Sequence, residues 1–199
     1  MRNGEVTRET RETRVVLRLE LDGKGMSEIS TGVGFLDHML ELFARHGLFD
    51  LEVSAKGDLE VDAHHTVEDI GICLGLAVRD ALGFGEGIKR YGWTLLPMDE
   101  ALATVALDLG GRPYLSISLP TLEGEMGGFA MELLPEFFQA FCNNAGANLH
   151  IRIDSGRNRH HMAEALFKAF ARALDQAVTV DPRVEGIPST KGKIGETNT

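Results

Sequence analysis

Two short strings of metal-binding residue types occur in this chain, and both have the pattern His-His-x-x-Glu. The pattern is formed by His64, His65 and Glu68, and again by His160, His161 and Glu164. Neutral imidazole and carboxylate are the usual protein ligands of borderline divalent metals. A single string is more often a solvated helix start. Its repetition, with glutamate at the same offset in each half, indicates a metal site that was duplicated.

Helical spacing predicts that each histidine pair divides between two sites. Residues four apart on a helix share a face, so His64 and Glu68 can bind the same ion. His65 lies about 100° around the helix from His64 and can reach only a different ion. The second string must behave in the same way.

Pairing the two halves about a pseudo-twofold axis gives two sites with four protein ligands each. Alignment of the halves places Glu136 opposite His38. One site would hold His64, Glu68, Glu136 and His161, and the other would hold His38, His65, His160 and Glu164. Four protein ligands leave open positions on an octahedral ion, which a catalytic metal needs. Manganese or ferrous iron would fit these ligands, and zinc is possible.

The elements that must position these residues follow the same order in both halves. Apolar periodicity predicts helices at 35–46, 64–82, 133–144 and 160–178. Alternation and turn signals predict strands at 14–21, 48–55, 59–61, 103–109, 114–119 and 148–154. The predicted fold class is α+β, with two repeated halves in one compact domain, 1–93 and 94–199. Each half is a small, mostly antiparallel or mixed sheet with helices packed on one face. We expect a linker at about 83–97 and mobile ends, through Gly4 and after Lys193.

Composition narrows the classes of function. Of the 199 residues, 43% are hydrophobic and 25% are charged, as in soluble globular proteins. The formal charge of -10 argues against nucleic-acid and anionic-membrane partners, although a pocket can still be locally basic. The charged start is no signal peptide, and no apolar run is long enough to span a bilayer. Cys73 and Cys142 lie in apolar helical contexts and are predicted to be buried thiols, which favours the reducing cytoplasm.

The strings around these motifs are similar to those of a known family. GFLDHMLELFARHGLFDLEV, DAHHTVEDIGICLG, DLGGRPYL, GRNRHHMAEALFKAFARAL and IPSTKG resemble imidazoleglycerol-phosphate dehydratases of histidine biosynthesis, and the likeness runs from about residue 7 to 192. The resemblance implies a duplicated fold similar to that of a ribosomal-protein domain. It also implies two Mn²⁺ ions per active site at subunit boundaries, no organic cofactor, and a homo-oligomeric 24-mer built from trimers. The family's metal positions match His38, His64, His65, Glu68, Glu136, His160, His161 and Glu164.

Position 136 departs from part of the family, since some members carry histidine there. Glu136 would give one site two histidines and two glutamates. That ligand set is harder and more anionic, so we expect this site to favour Mn²⁺ over softer metals.

The chemistry implied by the resemblance is the loss of water from imidazole glycerol phosphate, which gives imidazole acetol phosphate. Metals on the ring nitrogens would favour a metal-bound imidazolate, which could expel the adjacent hydroxyl through a diazafulvene-like intermediate. A base would then remove the neighbouring carbon proton. Glu12 matches the family position for this acid or base, and the metal ligands Glu68 and Glu164 also stand at catalytic positions. From composition alone, Glu12 is an exposed charge, and the TRETRETR repeat makes Glu9 a rival.

The resemblance also implies residues that bind the phosphorylated imidazole substrate. They are Glu12, His38, His46, Arg90, Arg112, Lys168, Ser189, Thr190 and Lys191. Cationic side chains in Gly-rich or Ser-Thr loops suit a phosphate, although each alone is more often a solvated surface residue. His46 could equally be a helix-end histidine stabilised by the macrodipole. If Lys191 is used, the C-terminal segment would close over bound substrate.

Two other classes of function stay open on the residues alone. A dinuclear metal-dependent phosphohydrolase would share the ions and the basic residues. A metal storage or metal-dependent assembly protein would have coordinatively closed sites and no need for Arg112 or Lys191.

Overall fold

The computed structural model describes residues 1–121 and 123–194, which form two four-stranded sheets, one two-stranded hairpin and four helices. The first half contains β1 (Asn3–Glu9), β2 (Thr13–Glu20), β3 (Ser27–Ser30), α1 (Gly34–Gly47), β4 (Asp50–Gly57) and α2 (His64–Leu82). Its sheet has the order β1-β2-β4-β3. The two pairs β1-β2 and β2-β4 are antiparallel, whereas β3-β4 is parallel.

The second half repeats the topology of this four-stranded sheet. It contains β5 (Tyr91–Met98), β6 (Ala101–Asp108), β7 (Tyr114–Ser118), β8 (Glu125–Met126), β9 (Phe129–Ala130), α3 (Leu133–Ala145), β10 (Asn148–Ser155) and α4 (Arg159–Val178). The sheet order is β5-β6-β10-β7, again with only the β7-β10 pair parallel. The predicted α+β duplication is therefore confirmed.

The helices form one layer that joins the two halves. Helix α1 of the first half packs on α4 of the second, and α2 packs on α3. Buried phenylalanines fill the seam: Phe43 stacks on Phe170 with ring centroids 5.4 Å apart, and Phe138 meets Phe170 edge-on at 5.2 Å. The first helix of each half thus packs on the second helix of the other half. This packing places His38 of α1 next to α4, and Glu136 of α3 next to α2.

One glycine in each half lets a helix approach the edge strand closely. A Cβ atom on Gly4 would lie 2.2 Å from the carbonyl oxygen of Ala77, and one on Gly92 would lie 1.8 Å from that of Ala173. These distances are far inside van der Waals contact, and the obstacle is backbone. Because both glycines make the same close contact with a carbonyl group of the second helix of their half, β1 and β5 are equivalent strands of the two halves.

Several details of the sequence interpretation were wrong. Residues 59–61 form a turn, and the side chain of Val61 is 67% exposed, so the alternation there does not face a core. The predicted linker at 83–97 contains most of β5, and the predicted boundary at 93 lies inside this strand of the second sheet. The start is not loose, because Gly4 pairs with Leu19 in β1-β2. The predicted mobile tail after Lys193 falls, except for residue 194, outside the described residues.

The second half carries a hairpin, β8-β9, between its third strand and its first helix, where the first half has only a short turn. Phe129 of this hairpin is fully buried, and its ring lies 5.4 Å from that of Phe35. Phe35 in turn meets the ring of His160 edge-on at 5.4 Å. The hairpin therefore supports the start of α4. Within residues 1–121 and 123–194, every helix is too short or too polar to cross a bilayer.

Candidate metal centre

Three of the predicted metal ligands converge at the contact between α1 and α4. His38 Nε2 lies 2.9 Å from Glu164 Oε1, and His160 Nε2 lies 3.0 Å from the same oxygen. The ligand atoms of all three residues lie within 4.8 Å of one another. Two imidazole nitrogens and a carboxylate oxygen are a donor set that fits a borderline divalent ion. We call His38, His160 and Glu164 the α1–α4 triad.

The carboxylate of the triad is kept ionised. Burial alone would raise the pKa of Glu164, but hydrogen bonds from Lys168, His38 and His160 outweigh it and lower this pKa to about 2. Lys168 Nζ lies 2.5 Å from Glu164 Oε2 and also contacts the sulfur of Met98. Glu164 can therefore act as an anionic ligand throughout the physiological range of pH.

The equivalent place in the other half holds His64, Glu68 and Glu136. His64 and Glu68 lie on α2, at the positions that His160 and Glu164 occupy on α4. Glu136 lies on α3, at the position that His38 occupies on α1. Their side chains do not meet as closely, since the α1–α4 triad is the one potential metal-binding group found within the described ranges. The repeated topology nevertheless places a second set of three candidate ligands on α2 and α3, in which Glu136 takes the place of one histidine.

The remaining histidine of each pair points away from its neighbour. The rings of His64 and His65 are nearly perpendicular, at 85°, and those of His160 and His161 make an angle of 88°. His65 lies beside Asp58 and, at 3.9 Å, beside Glu12. His161 lies beside Glu100. Neither His65 nor His161 belongs to the α1–α4 triad of its own chain.

At the start of α4 and at the start of α2, a side-chain oxygen accepts a hydrogen bond from the backbone N–H of the first histidine of the pair. The Asn158 side chain accepts hydrogen bonds from the backbone N–H groups of His160 and His161, which caps α4. Asp62 accepts from the N–H of His64, at 2.7 Å, although the N-cap residue of α2 is Ala63, which makes no side-chain cap. The cap therefore fixes the first turn of α4, and with it the direction of His160 and His161.

The predicted substrate residues near the C-terminal segment come together in a second cleft. It is lined by Arg90, Tyr91, Gly110, Gly111, Arg112, Pro113, Pro188, Ser189, Thr190, Lys191 and Lys193. Arg90 has a left-handed backbone, with φ of 70°, and it pairs with Asp108 at 2.6 and 3.0 Å. It also donates to the carbonyl oxygen of Pro188 at 2.9 Å, which ties the C-terminal segment to this cleft. Sequence reasoning missed Lys193 and Asp108.

His46 lies away from that cleft, at the end of α1. Its pKa is lowered, first by burial and then by the charges of Lys168 and Arg172. The macrodipole interpretation would raise this pKa, so burial, together with the neighbouring cations on α4, outweighs it. His46 therefore lies close to Lys168, the lysine that contacts the triad.

Sequence reasoning also missed Glu100, which belongs to a cleft with His160 and His161. This cleft is further lined by Glu125, Met126, Arg157, Asn158 and Arg159. The hydrogen bond with His161 is the main reason that the pKa of Glu100 falls to about 2, and backbone N–H groups add to it. The signal existed in the sequence, because Glu12 and Glu100 each stand one residue before the second strand of their half.

The fold and the site thus define a duplicated α+β protein with a histidine–carboxylate centre and a separate cleft lined by arginine and lysine side chains. The imidazoleglycerol-phosphate dehydratase family model matches residues 31–174. A relative of that name from Geobacter metallireducens is 58% identical over 193 residues, covering 97% of this chain and 99% of the relative. One from Acetivibrio thermocellus is 57% identical over the same shares of the two chains.

Solved structures agree with the sequence relatives. The dehydratase from Staphylococcus aureus superposes with a TM-score of 0.81 at 40% identity, over 90% of this chain and 99% of that one. The one from Pyrococcus furiosus gives 0.82 at 37% identity, over 94% and 99%. The chain belongs to the imidazoleglycerol-phosphate dehydratase family. This confirms the resemblance, and with it a hydro-lyase of histidine biosynthesis.

Proposed function

We propose that this chain removes water from imidazole glycerol phosphate to give imidazole acetol phosphate, at sites assembled between subunits. The observation that carries the proposal is the α1–α4 triad: it offers three ligands in one chain, while the predicted fourth, His65, lies elsewhere beside Glu12. A second copy of the chain can supply His65 and Glu12 together. The pseudo-twofold relation then gives the other site His64, Glu68 and Glu136 from one copy and His161 from another.

The metal we propose is Mn²⁺, two ions per active site, with no organic cofactor. Imidazole and carboxylate ligands of the two sets fit this ion. When bound, such a cation would lower the pKa of the substrate's imidazole ring, which makes the adjacent hydroxyl easier to expel. We also propose that the site containing Glu136 favours Mn²⁺ over softer metals, because it has one more carboxylate.

Glu12 is the residue we propose to move the carbon-bound proton. Its side chain is 56% exposed and lies 3.9 Å from the Nδ1 atom of His65. A carboxylate that is exposed in one chain and adjacent to a ligand histidine is free to face substrate across a subunit boundary. Geometry of this kind is what a general acid or base requires.

The cleft with Arg112, Ser189 and Lys191 is our proposed phosphate site. Two cations and a hydroxyl in loops suit a phosphate, and Arg90 holds the C-terminal segment beside them. Thr190 adds a hydroxyl to the same cleft, while Lys168 and His46 lie near the triad and would face the imidazole end.

Exposed apolar side chains support a homo-oligomer, which we propose to be the 24-mer of trimers. Trp93 is 70% exposed and Leu95 is 64% exposed, both on the outer face of β5. An exposed patch of this kind favours a protein contact. We further propose a cytoplasmic location, supported by the two free and buried thiols, Cys73 and Cys142.

The test is turnover of imidazole glycerol phosphate by the full chain, before and after metal removal under anaerobic conditions. We expect ketone formation without phosphate release, its loss after chelation, and its return on adding Mn²⁺. Release of phosphate would instead identify a phosphohydrolase. Full turnover by protein shown by metal analysis to be metal-free would contradict the proposed metal centre.

A further inference from the structure

Both diverging histidines are anchored to a carboxylate through the same ring nitrogen. His65 Nδ1 lies 3.0 Å from Asp58 Oδ2 and 3.2 Å from Oδ1. His161 Nδ1 lies 2.8 Å from Glu100 Oε2. In each case Nε2 is left as the nitrogen that can bind a metal, which is also the nitrogen that His38 and His160 direct to Glu164.

The two carboxylates come from different places in the duplicated fold. Asp58 directly follows β4, and the residue that directly follows β10 is Gly156. Glu100 lies in the β5–β6 hairpin, and its counterpart in the first hairpin is Glu12, which is 3.9 Å from His65. The two halves therefore reach the same Nδ1 contact by different means. This indicates that the contact itself is required, since it does not follow from the duplication.

Glu100 is itself held in place. Its Oε1 atom accepts hydrogen bonds from the backbone N–H groups of Asn158 at 2.7 Å and Arg157 at 3.2 Å. The carboxylate thereby links the hairpin to the start of α4 and sets its second oxygen against His161. Asp58 is similarly sheltered, with a side chain that is 19% exposed.

We propose that Asp58 and Glu100 are positioning residues, which orient His65 and His161 and fix the tautomer with the proton on Nδ1. The inference rests on the proposed metal sites. A carboxylate behind a ligand histidine aims the ring and strengthens the other nitrogen as a donor. Each of these residues would then serve a different ion: Asp58 acts on the site completed by His65, and Glu100 on the site completed by His161.

The test measures Mn²⁺ binding to the full chain after a chelator has removed its metal. The electron paramagnetic resonance signal of free Mn²⁺ reports how much of the ion is unbound. We expect two classes of site in the unaltered protein. Asp58→Ala should weaken one class by about 10- to 100-fold, Glu100→Ala should weaken the other, and the double variant should weaken both. Thermal melting of the metal-free proteins should show that the fold is kept.

A matched control is available beside Asp58. Glu60→Gln removes an exposed charge two residues away from it. This control should bind Mn²⁺ as the unaltered chain does. Asp58→Asn and Glu100→Gln keep an oxygen acceptor, so they should recover part of the affinity even if the alanine variants fold poorly.

The outcomes separate this inference from the proposed function. Two intact classes of site in both alanine variants would overturn the positioning role while leaving the metal sites in place. Equal weakening of both classes by either single variant would also overturn it. If the unaltered chain bound no Mn²⁺, the metal centre would be refuted first, and the positioning role with it.

Discussion

At the scale of single residues, Glu164 organises the centre. It accepts hydrogen bonds from two histidines and a lysine, and these donors offset the cost of burying its charge. Lys168 is thereby held against the triad by the carboxylate that it neutralises. The result is a preorganised set of two imidazole nitrogens and a carboxylate oxygen that face one another.

Glu12→Gln is expected to lower kcat by about 10²- to 10⁴-fold, because it removes the group that exchanges the carbon proton. Mn²⁺ content should stay unchanged, since Glu12 is not one of the proposed ligands. Steady-state ketone formation and metal analysis measure the two effects. Glu9→Gln is the matched control for the rival register, because Glu9 is exposed and only loosely paired with Arg14, at 3.7 Å. Near-normal turnover by Glu12→Gln would refute the role.

The two thiols should be inert in the native protein. Cys73 and Cys142 are fully buried, and burial raises the pKa of each thiol to about 12. The thiolate is the reactive form, so alkylation by iodoacetamide at pH 8 should leave both unmodified until the chain is unfolded. Mass spectrometry of native and denatured samples measures this. Rapid labelling of either thiol under native conditions would contradict the packing of α2 or α3.

At the scale of elements, the helices were predictable, whereas the edge strands β1 and β5 were not. Helix α2 begins and ends where its apolar periodicity indicated, because one face packs on a sheet and a neighbouring helix. Strand β1 reads as a solvated run of alternating charge, and β5 contains a proline and exposed aromatic residues. Both are edge strands: pairing with β2 and β6 fixes their register, and the buried residue where each meets a helix is a glycine, which gives no apolar signal. Spacing of four predicted the pairing of His160 with Glu164, but the Glu100–His161 contact joins residues 61 apart, which no local pattern reveals.

Gly4→Ala and Gly92→Ala are each expected to destabilise the protein by about 1–3 kcal/mol, because the added methyl group overlaps a helix carbonyl. Urea-induced unfolding of each variant measures the change. Gly34→Ala is the control: it stands at the start of α1 with no atom within 4 Å of the added Cβ. The control should be neutral or slightly stabilising. Unchanged stability in both edge-strand variants would show that β1 and β5 can shift away from their helices.

At the scale of the whole molecule, the groups that we propose for the reaction are distributed over separate surfaces of one chain. The α1–α4 triad, the His65–Glu12 corner and the cleft with Arg112 and Lys191 belong to different parts of the fold, and no residue lines both of the clefts described above. Duplication explains the arrangement, since two like halves present complementary sets of ligands. Closed symmetry can then bring the triad of one copy against the His65 corner of another.

Mixing two inactive variants should therefore restore activity. His160→Ala damages the triad, and His65→Ala damages the ligand that completes it in a neighbouring copy. Each variant alone should be inactive. In co-expressed mixed assemblies with equal amounts of both, about one site in four pairs an intact triad with an intact His65, and ketone formation should recover to that fraction. Affinity tags of two kinds select the mixed assemblies before the assay.

The control for complementation uses substitutions of two residues that the same copy of the chain would contribute to a site. His65→Ala mixed with Glu12→Gln should stay inactive, because His65 and Glu12 lie 3.9 Å apart and would come from the same copy to any one site. Every site then carries one lesion or the other. If the first mixture shows no recovery, the triad and His65 must act within one chain, which would contradict the shared site. Recovery in the second mixture would instead show that Glu12 and His65 reach one site from different copies.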